Sequence, residues 1–453
     1  MQVFSNVLDM VGKTPMLEVT NMDTGACRLF LKLELINPGG SIKDRIGISM
    51  IEEAEKRGDI RPGDTLVEAT AGNTGIGLAL VAAQKGYKLI LVLPDKMSQE
   101  KIFNLRAMGA EVILTRSDVG KGHPEYYQDV GQRIADEQGA YFINQFANPD
   151  NSLAHEQTTA PEILEQMGGD VDAIVLGVGS SGTVAGIGAY LEKHSPSTEI
   201  ILADPVGSVL ADYINKGKLG EQGSWLVEGI GEDFIPSIAD FGKVTRAYSI
   251  SDRESFKTAR ELLRKEGILA GSSSGTLLAA ALKYCREQKE AKRVVSFACD
   301  TGNKYLSKLY NDFWLEDQGF IRRKQHGDLR DLIGRPHDER ATITVGPTDI
   351  LVTAHNRLRN AGFSQLPVMD EGKLVGIVTE DTIIQYVFND PTLMNAPVGD
   401  AMESAFIQLP RETSVNNLVA MLHVQPYAAV MDGDHFLGLI TRADVLNYLR
   451  RQI

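Results

Sequence analysis

From about residue 28 to residue 310, short β-branched and apolar runs alternate with longer stretches that place apolar residues at helical spacing. The clearest runs are TLVEAT (65–70), KLILVLP (88–94), EVILT (111–115), DAIVLGVG (172–179), EIILADP (199–205) and RVVSFACD (293–300). At least one amphipathic segment separates each from the next, a pattern that predicts a largely parallel sheet covered by helices on both faces. Ligands in such folds sit at the carboxyl ends of strands, where loops meet helix N-termini. After Trp314 the pattern changes: residues 316–340 are polar and charged, with few apolar positions, and predict a linker carrying one short helix. Beyond it, QLPVMDEGKLVGIVTEDTIIQYV (365–387) matches YAAVMDGDHFLGLITRADVLNYL (427–449) without a gap at an offset of 62. Two copies of one supersecondary unit are expected to pack together.

At 453 residues the chain is too long for one core. The pattern divides it into an α/β unit (1–315), a linker (316–336) and two repeats (337–396 and 397–453). A formal charge of −14 and only short basic runs, such as residues 322–324, argue against a nucleic-acid partner. Cys27, Cys285 and Cys299 lie far apart without CxxC spacing, so a reducing cytoplasm is expected rather than a disulfide framework or a thiolate zinc site. With no basic leader followed by an apolar run and no apolar segment of spanning length, neither export nor a membrane partner is expected. The eight histidines lack metal-binding spacing, so no metal is expected.

Three loops share one grammar of strand, small residues and helix: ATAGNTGIG (69–77), GVGSSGTVAG (177–186) and AGSSSGTLLAA (270–280). Backbone N–H groups of such loops point at anions, which the positive end of the helix dipole also favours. A fourth helix start, NPGGSIKDR (37–45), carries Lys43 ahead of Ile46, Ile48, Met50 and Ile51. The second loop also matches the dinucleotide fingerprint GxGxxG (Gly177, Gly179, Gly182), with Asp204 at the end of the next strand. The third matches the hydrolase elbow GxSxG (Gly271, Ser273, Gly275), for which Asp300 and either His326 or His337 would have to complete a triad. Neither of these readings gives Lys43 a task. A lysine amine at a helix start is activated toward a carbonyl, and an aldehyde cofactor with a phosphate tail uses the lysine and the glycine loops together. Pyridoxal phosphate has that chemistry.

The motifs GGSIKDR, TAGNTGIGLA, GVGSSGT and EGIGEDFIP, in this order over about residues 1–315, resemble the β-family of pyridoxal-phosphate enzymes, in its branch of cysteine synthases and cystathionine β-synthases. The repeated tail is similar to a pair of CBS-type domains. The resemblance implies a fold type II core, like the tryptophan synthase β-subunit, with mainly parallel sheets, followed by an α/β tandem CBS module. It also implies that Lys43 bonds the cofactor aldehyde and acts as the catalytic base. Asn73 would bond the ring hydroxyl, Gly179, Ser180, Ser181, Gly182 and Thr183 would cradle the phosphate, and Ser273 would face the ring nitrogen. Thr70, Ala71, Asn73, Thr74 and Gln145 would grip the substrate carboxylate, with Gly229 and Glu232 at the cavity mouth.

The reaction so implied replaces the hydroxyl of serine by homocysteine to give cystathionine and water. A cysteine synthase using O-acetylserine and sulfide, or an adenosyl-sensing scaffold without catalysis, are the alternatives. Phe146 and Glu232 stand where animal cystathionine β-synthases have tyrosine, which leaves the thiol co-substrate open. No haem-binding extension precedes the core, so no haem is expected. In the tail, the resemblance implies one adenosyl site from Phe363, Gln365, Thr441 and Asp444, for S-adenosylmethionine or an adenine nucleotide, because Thr382 replaces the aspartate of the first repeat. A homodimer or higher homo-oligomer is expected from the same resemblance.

Overall fold

A computed structural model describes residues 3–450 apart from positions 71, 96, 121 and 323. It divides into two compact units, Met1–Tyr310 and Asn311–Ile453. In the first, the strands are β1 (Met16–Glu18), β2 (Arg28–Lys32), β3 (Thr65–Ala69), β4 (Lys88–Pro94), β5 (Glu111–Thr115), β6 (Tyr141–Phe142), β7 (Ala173–Gly177), β8 (Glu199–Pro205), β9 (Val244–Ile250) and β10 (Arg293–Phe297). They form a six-stranded sheet, β1-β2-β10-β7-β8-β9, and a four-stranded sheet, β5-β4-β3-β6. Only the β1–β2 pair is antiparallel. The mainly parallel α/β core expected from the alternation of runs is therefore present.

The runs at 88–94, 111–115 and 199–205 coincide with β4, β5 and β8. Four strands were not singled out, each for a local reason. β6 has two residues and β1 three, too few to show a period. β9, VTRAYSI, lies at a sheet edge and is only partly buried. β2, RLFLK, ends in a lysine that is itself buried, donating to Thr14 O and Glu162 Oε2 at 2.7 Å and to Gln166 Oε1 at 2.9 Å.

Helices Lys43–Arg57 and Asn73–Lys85 cross with their backbones in contact at Gly47 and Gly77. A Cβ on Gly47 would lie 2.7 Å from the Gly77 carbonyl carbon, and one on Gly77 2.7 Å from Lys43 O. Only glycine permits that approach. The crossing fixes the two helix starts that carry Lys43 and Asn73 relative to each other.

In the second unit, β11 (Gln365–Asp370) and β12 (Lys373–Thr379) form one hairpin, and β14 (Tyr427–Asp432) and β15 (His435–Thr441) another, with β13 (Gln408–Pro410) beside β14. Both hairpins shift register at the same place, after Val368 and after Val430, so the internal repeat extends to the bulge. Contrary to the reading of 316–340 as a linker with few buried positions, Leu329, Leu332 and Ile333 are buried and pack with Leu418, Val430 and Ile440. This segment also holds a 3-10 turn, Leu329–Asp331, after the helix Asp312–Asp317. Three apolar residues among flanking charges are too few to show a period, yet they suffice to close one side of the second repeat's core.

Among the described residues no helix is long and apolar enough to cross a membrane. Nor does any group of three or more metal-ligating side chains occur among them.

Candidate active site

The turn before Lys43 is closed by the helix it opens. Gly39 N donates to Asp44 Oδ2 at 2.5 Å, and Gly40 adopts φ 71°. Lys43 begins the helix and lines a cavity of about 370 Å³. Burial holds its amine below the usual lysine range, partly offset by Cys299 and Glu232.

The same cavity is lined by Thr70, Asn73, Thr74, Gln145, Gly179, Ser180, Ser181, Thr183, Gly229, Glu232 and Ser273, so one space gathers positions from all four motifs. Gly182 opens the helix at its edge, whereas Ala71 lies outside the described residues.

Where β7 ends, Gly179 to Thr183 turn into the helix Gly182–His194, whose first N–H groups have no intrahelical acceptor. Ser181 adopts φ 72°, in the left-handed region, and its buried Oγ has no hydrogen-bond partner. A Cβ on Gly182 would lie 1.9 Å from Asn151 Oδ1, another buried polar atom without a partner. Two side chains below hold the loop: Asn151 Nδ2 donates to Ser180 Oγ at 2.9 Å, and His155 Nε2 lies 3.2 Å from Thr183 Oγ1. His155 starts a π-helical turn, His155–Thr159, and burial, with Lys43 and Arg45 adding to it, holds its pKa well below the usual histidine value.

On the opposite side, Thr74 Oγ1 donates to Gln145 Oε1 at 2.7 Å, and Gln145 Nε2 donates to Glu68 Oε1 at 2.9 Å and to Ala69 O at 3.2 Å. Gln145 thereby joins the helix start at Asn73 to the end of β3. Gly179 meets the 228–233 segment directly, since a Cβ there would lie 2.7 Å from Gly229 O. Glu232 is half-buried beside an aromatic wall in which Tyr127, Phe146 and Phe234 follow one another at centroid distances of 6.5 and 5.8 Å.

The two decoys are spent elsewhere. Asp204 is buried and accepts Ala211 N at 2.8 Å, inside the turn that starts the next helix. Asp300 accepts from Asn73 and Tyr305, while His326 and His337 belong to the second unit. Sequence reasoning missed Asn151, His155, Lys304 and Cys299 as neighbours of the site. Cys299 lines the cavity, but no local motif marks it.

In the second unit, Phe363, Gln365, Thr441 and Asp444 line a cavity of about 500 Å³. Asp444 Oδ2 accepts from Thr441 N at 2.8 Å and Thr441 Oγ1 at 2.6 Å. In the first repeat Thr379 and Thr382 cap each other reciprocally at 3.0 Å, and no carboxylate occupies the aspartate's place.

Residues 7–300 match the family described as pyridoxal-phosphate dependent enzyme, and residues 338–389 and 398–451 each match the CBS domain. A protein of Dictyostelium discoideum named cystathionine beta-synthase is 36% identical over 470 residues, covering 99% of this chain and 93% of the relative. One of Apis mellifera with the same name is 34% identical over 463 residues, covering 99% and 92%. The solved structure of an O-acetylserine dependent cystathionine beta-synthase from Helicobacter pylori is similar at TM-score 0.63 and 39% identity, covering 68% of this chain and 99% of that one.

Proposed function

Because the chain belongs to the pyridoxal-phosphate-dependent enzymes, grouping among them with the cystathionine beta-synthases and carrying a pair of CBS domains, we propose that it replaces the hydroxyl of serine by the thiol of homocysteine, giving cystathionine and water. The observation that carries this reading is a lysine amine, lowered in basicity by burial, in the same cavity as an anion cup at a helix start.

The residues present fit pyridoxal phosphate. The buried, unpartnered Ser181 Oγ and Asn151 Oδ1 beside the cup call for an occupant with hydrogen-bonding oxygens, and Gly182 leaves the close approach open. Gly179 to Thr183 would hold the phosphate, Asn73 the ring hydroxyl, Ser273 the ring nitrogen and Lys43 the aldehyde. When bound, the cofactor supplies an aldehyde for the substrate amine and an electron sink for the α-carbon.

The protein groups do the rest. The Thr70 hydroxyl and the N–H of Thr74 at the helix start orient the substrate carboxylate, while Gln145, whose amide hydrogens go to Glu68 and Ala69, acts through its bond from Thr74; Ala71, assigned to the same task, lies outside the described residues. Lys43, once free, takes the α-proton and passes it to the departing hydroxyl, which leaves as water; it then accepts the proton of the homocysteine thiol as sulfur bonds the β-carbon, and delivers that proton to the α-carbon. A serine hydroxyl at the ring nitrogen, in place of a carboxylate, withholds full charge from the ring and favours loss of the β-substituent over paths that need a long-lived carbanion. Glu232, with Gly229 beside it, receives the ammonium of the incoming amino-acid thiol against the aromatic wall. Sulfide has no ammonium to place there, which favours homocysteine.

The Helicobacter relative's O-acetylserine dependence supports a second reading, in which acetate replaces hydroxide as the leaving group. Incubating the purified holoenzyme with serine and homocysteine, O-acetylserine and homocysteine, or O-acetylserine and sulfide, and identifying products by mass, separates these. Cystathionine at the highest kcat/KM from serine is expected. Cysteine from sulfide at the highest kcat/KM would overturn the assignment, and a colourless protein forming no product would leave only a scaffold.

In the second unit the Thr441–Asp444 pair supports one adenosyl ligand, whose ribose hydroxyls would donate to the Asp444 carboxylate while Phe363 and Gln365 line the base. S-adenosylmethionine is our first choice and an adenine nucleotide the second. A homodimer or higher homo-oligomer in a reducing cytoplasm, without haem, completes the reading; the three cysteines are free.

A further inference from the structure

Behind Asn73 lies a chain of buried polar groups that the reaction itself does not use. Lys304 Nζ donates to Gly39 O at 2.8 Å, Asn73 Oδ1 at 3.0 Å and Gly40 O at 3.3 Å, so all three of its hydrogens are committed. Asp300 Oδ2 accepts from Asn73 Nδ2 at 2.8 Å and from Tyr305 OH at 2.6 Å. Having given its only hydrogen to Asp300, Tyr305 accepts from Lys101 Nζ at 3.0 Å, and Lys101 also donates to Glu228 Oε2 at 2.7 Å. Lys304 is 3% exposed and Asp300 0%, so water does not substitute for either partner.

We propose that Lys304 and Asp300 are positioning residues that lock the Asn73 amide in one of its two flips and so decide which of its atoms meets the ring oxygen of the ligand. The assignment of a flip depends on its neighbours, and here they leave one answer. An ammonium only donates and a carboxylate only accepts. The opposite flip would face the Asn73 N–H groups with the Lys304 ammonium and its carbonyl with the Asp300 carboxylate. With Nδ2 held by Asp300, its second hydrogen remains for a ligand in the cavity that Asn73 lines. Lys304 also ties Gly39 and Gly40, the turn ahead of Lys43, to the same amide, so one side chain sets the separation of two groups that act on neighbouring substituents of the ring. The inference rests on the reading that Asn73 meets the ring hydroxyl of the cofactor.

The test compares Lys304→Met, which keeps the chain length and removes every donor, with Lys304→Arg, which restores charge and donors, each alone and combined with Asn73→Ala. The readouts are the visible absorption spectrum of the holoenzyme, the cofactor dissociation constant measured on resolved protein, and pyruvate released per cystathionine formed. In Lys304→Met a shifted band, cofactor affinity about tenfold weaker, as loss of one charge-assisted bond gives, and more pyruvate are expected. Lys304→Arg should recover part of each, and Lys304→Met should add less than its full effect once Asn73 is alanine, because only its bonds to Gly39 and Gly40 are then left to lose. A wild-type spectrum and affinity in Lys304→Met, beside a changed Asn73→Ala, would overturn the locking alone. An unchanged Asn73→Ala would overturn the reading of Asn73 and the proposal with it. If Lys304→Met does not fold, Lys304→Gln, which removes the charge and one of the three donors, takes its place, with changes in the same direction and smaller in size.

Discussion

Glu68 is fully buried at β3, with Gln145 Nε2 donating to it, and burial pushes its carboxyl up to about 8. The folded protein therefore holds a proton that the unfolded chain, with an ordinary carboxyl of 4.5, has lost. With more protons bound in the folded state, stability is fully present below the unfolded value and declines as pH rises toward 8. Glu68→Gln removes this proton while keeping an acceptor for Gln145. Its melting temperature should fall less than the wild type's between pH 5 and 8, on the order of the window set by the shift; parallel curves would contradict the assignment. At this scale Lys43, Asn73 and the 179–183 loop were legible because small residues beside a helix start form a local signal. Lys304, Asn151 and His155 were not, since their importance comes from partners 231, 29 and 28 residues away, and each looks ordinary among its sequence neighbours.

The contact between the Lys43 helix and the Asn73 helix makes a prediction about two glycines of the same apparent type. Gly77→Ala inserts a methyl 2.7 Å from Lys43 O and should cost about 1–3 kcal/mol by overpacking, lowering the melting temperature and weakening cofactor binding together. Gly188→Ala, inside the helix Gly182–His194, meets side-chain atoms no closer than 3.8 Å and should raise stability by about 0.5–1 kcal/mol through helix propensity. Equal effects of the two, read by thermal unfolding, would deny the crossing its role. Buried parallel strands such as β4 and β8 were readable as continuous apolar runs, and the repeat was readable to its bulge. The segment 329–333 was misread because its three buried residues fill one patch of core without forming a periodic face.

Over the whole chain, all groups assigned to the reaction lie in the unit Met1–Tyr310 and all those assigned to the adenosyl ligand in Asn311–Ile453. The Helicobacter structure aligns over 99% of its length with 68% of this chain. A protein ending after residue 310 should fold, bind the cofactor and form product, while losing any response to adenosyl compounds. In the full-length chain, Asp444→Asn should weaken the ligand's dissociation constant about tenfold, for a lost bond to a charged acceptor, and leave basal turnover unchanged. Calorimetry with S-adenosylmethionine, AMP and ATP reads this directly; equal heats in both proteins would remove Asp444 from the site. The internal repeat was visible in the sequence, whereas the choice of ligand was not, because the cavity proposed to take it is lined by side chains from both repeats.

The most direct test of the account is to reduce the purified holoenzyme with borohydride, digest it and locate the pyridoxyl-tagged peptide, in parallel with serine turnover by Lys43→Ala. The expected result is a single tag on the peptide containing Lys43 and loss of turnover in the variant. A tag on another lysine, or undiminished turnover without the Lys43 amine, would contradict it.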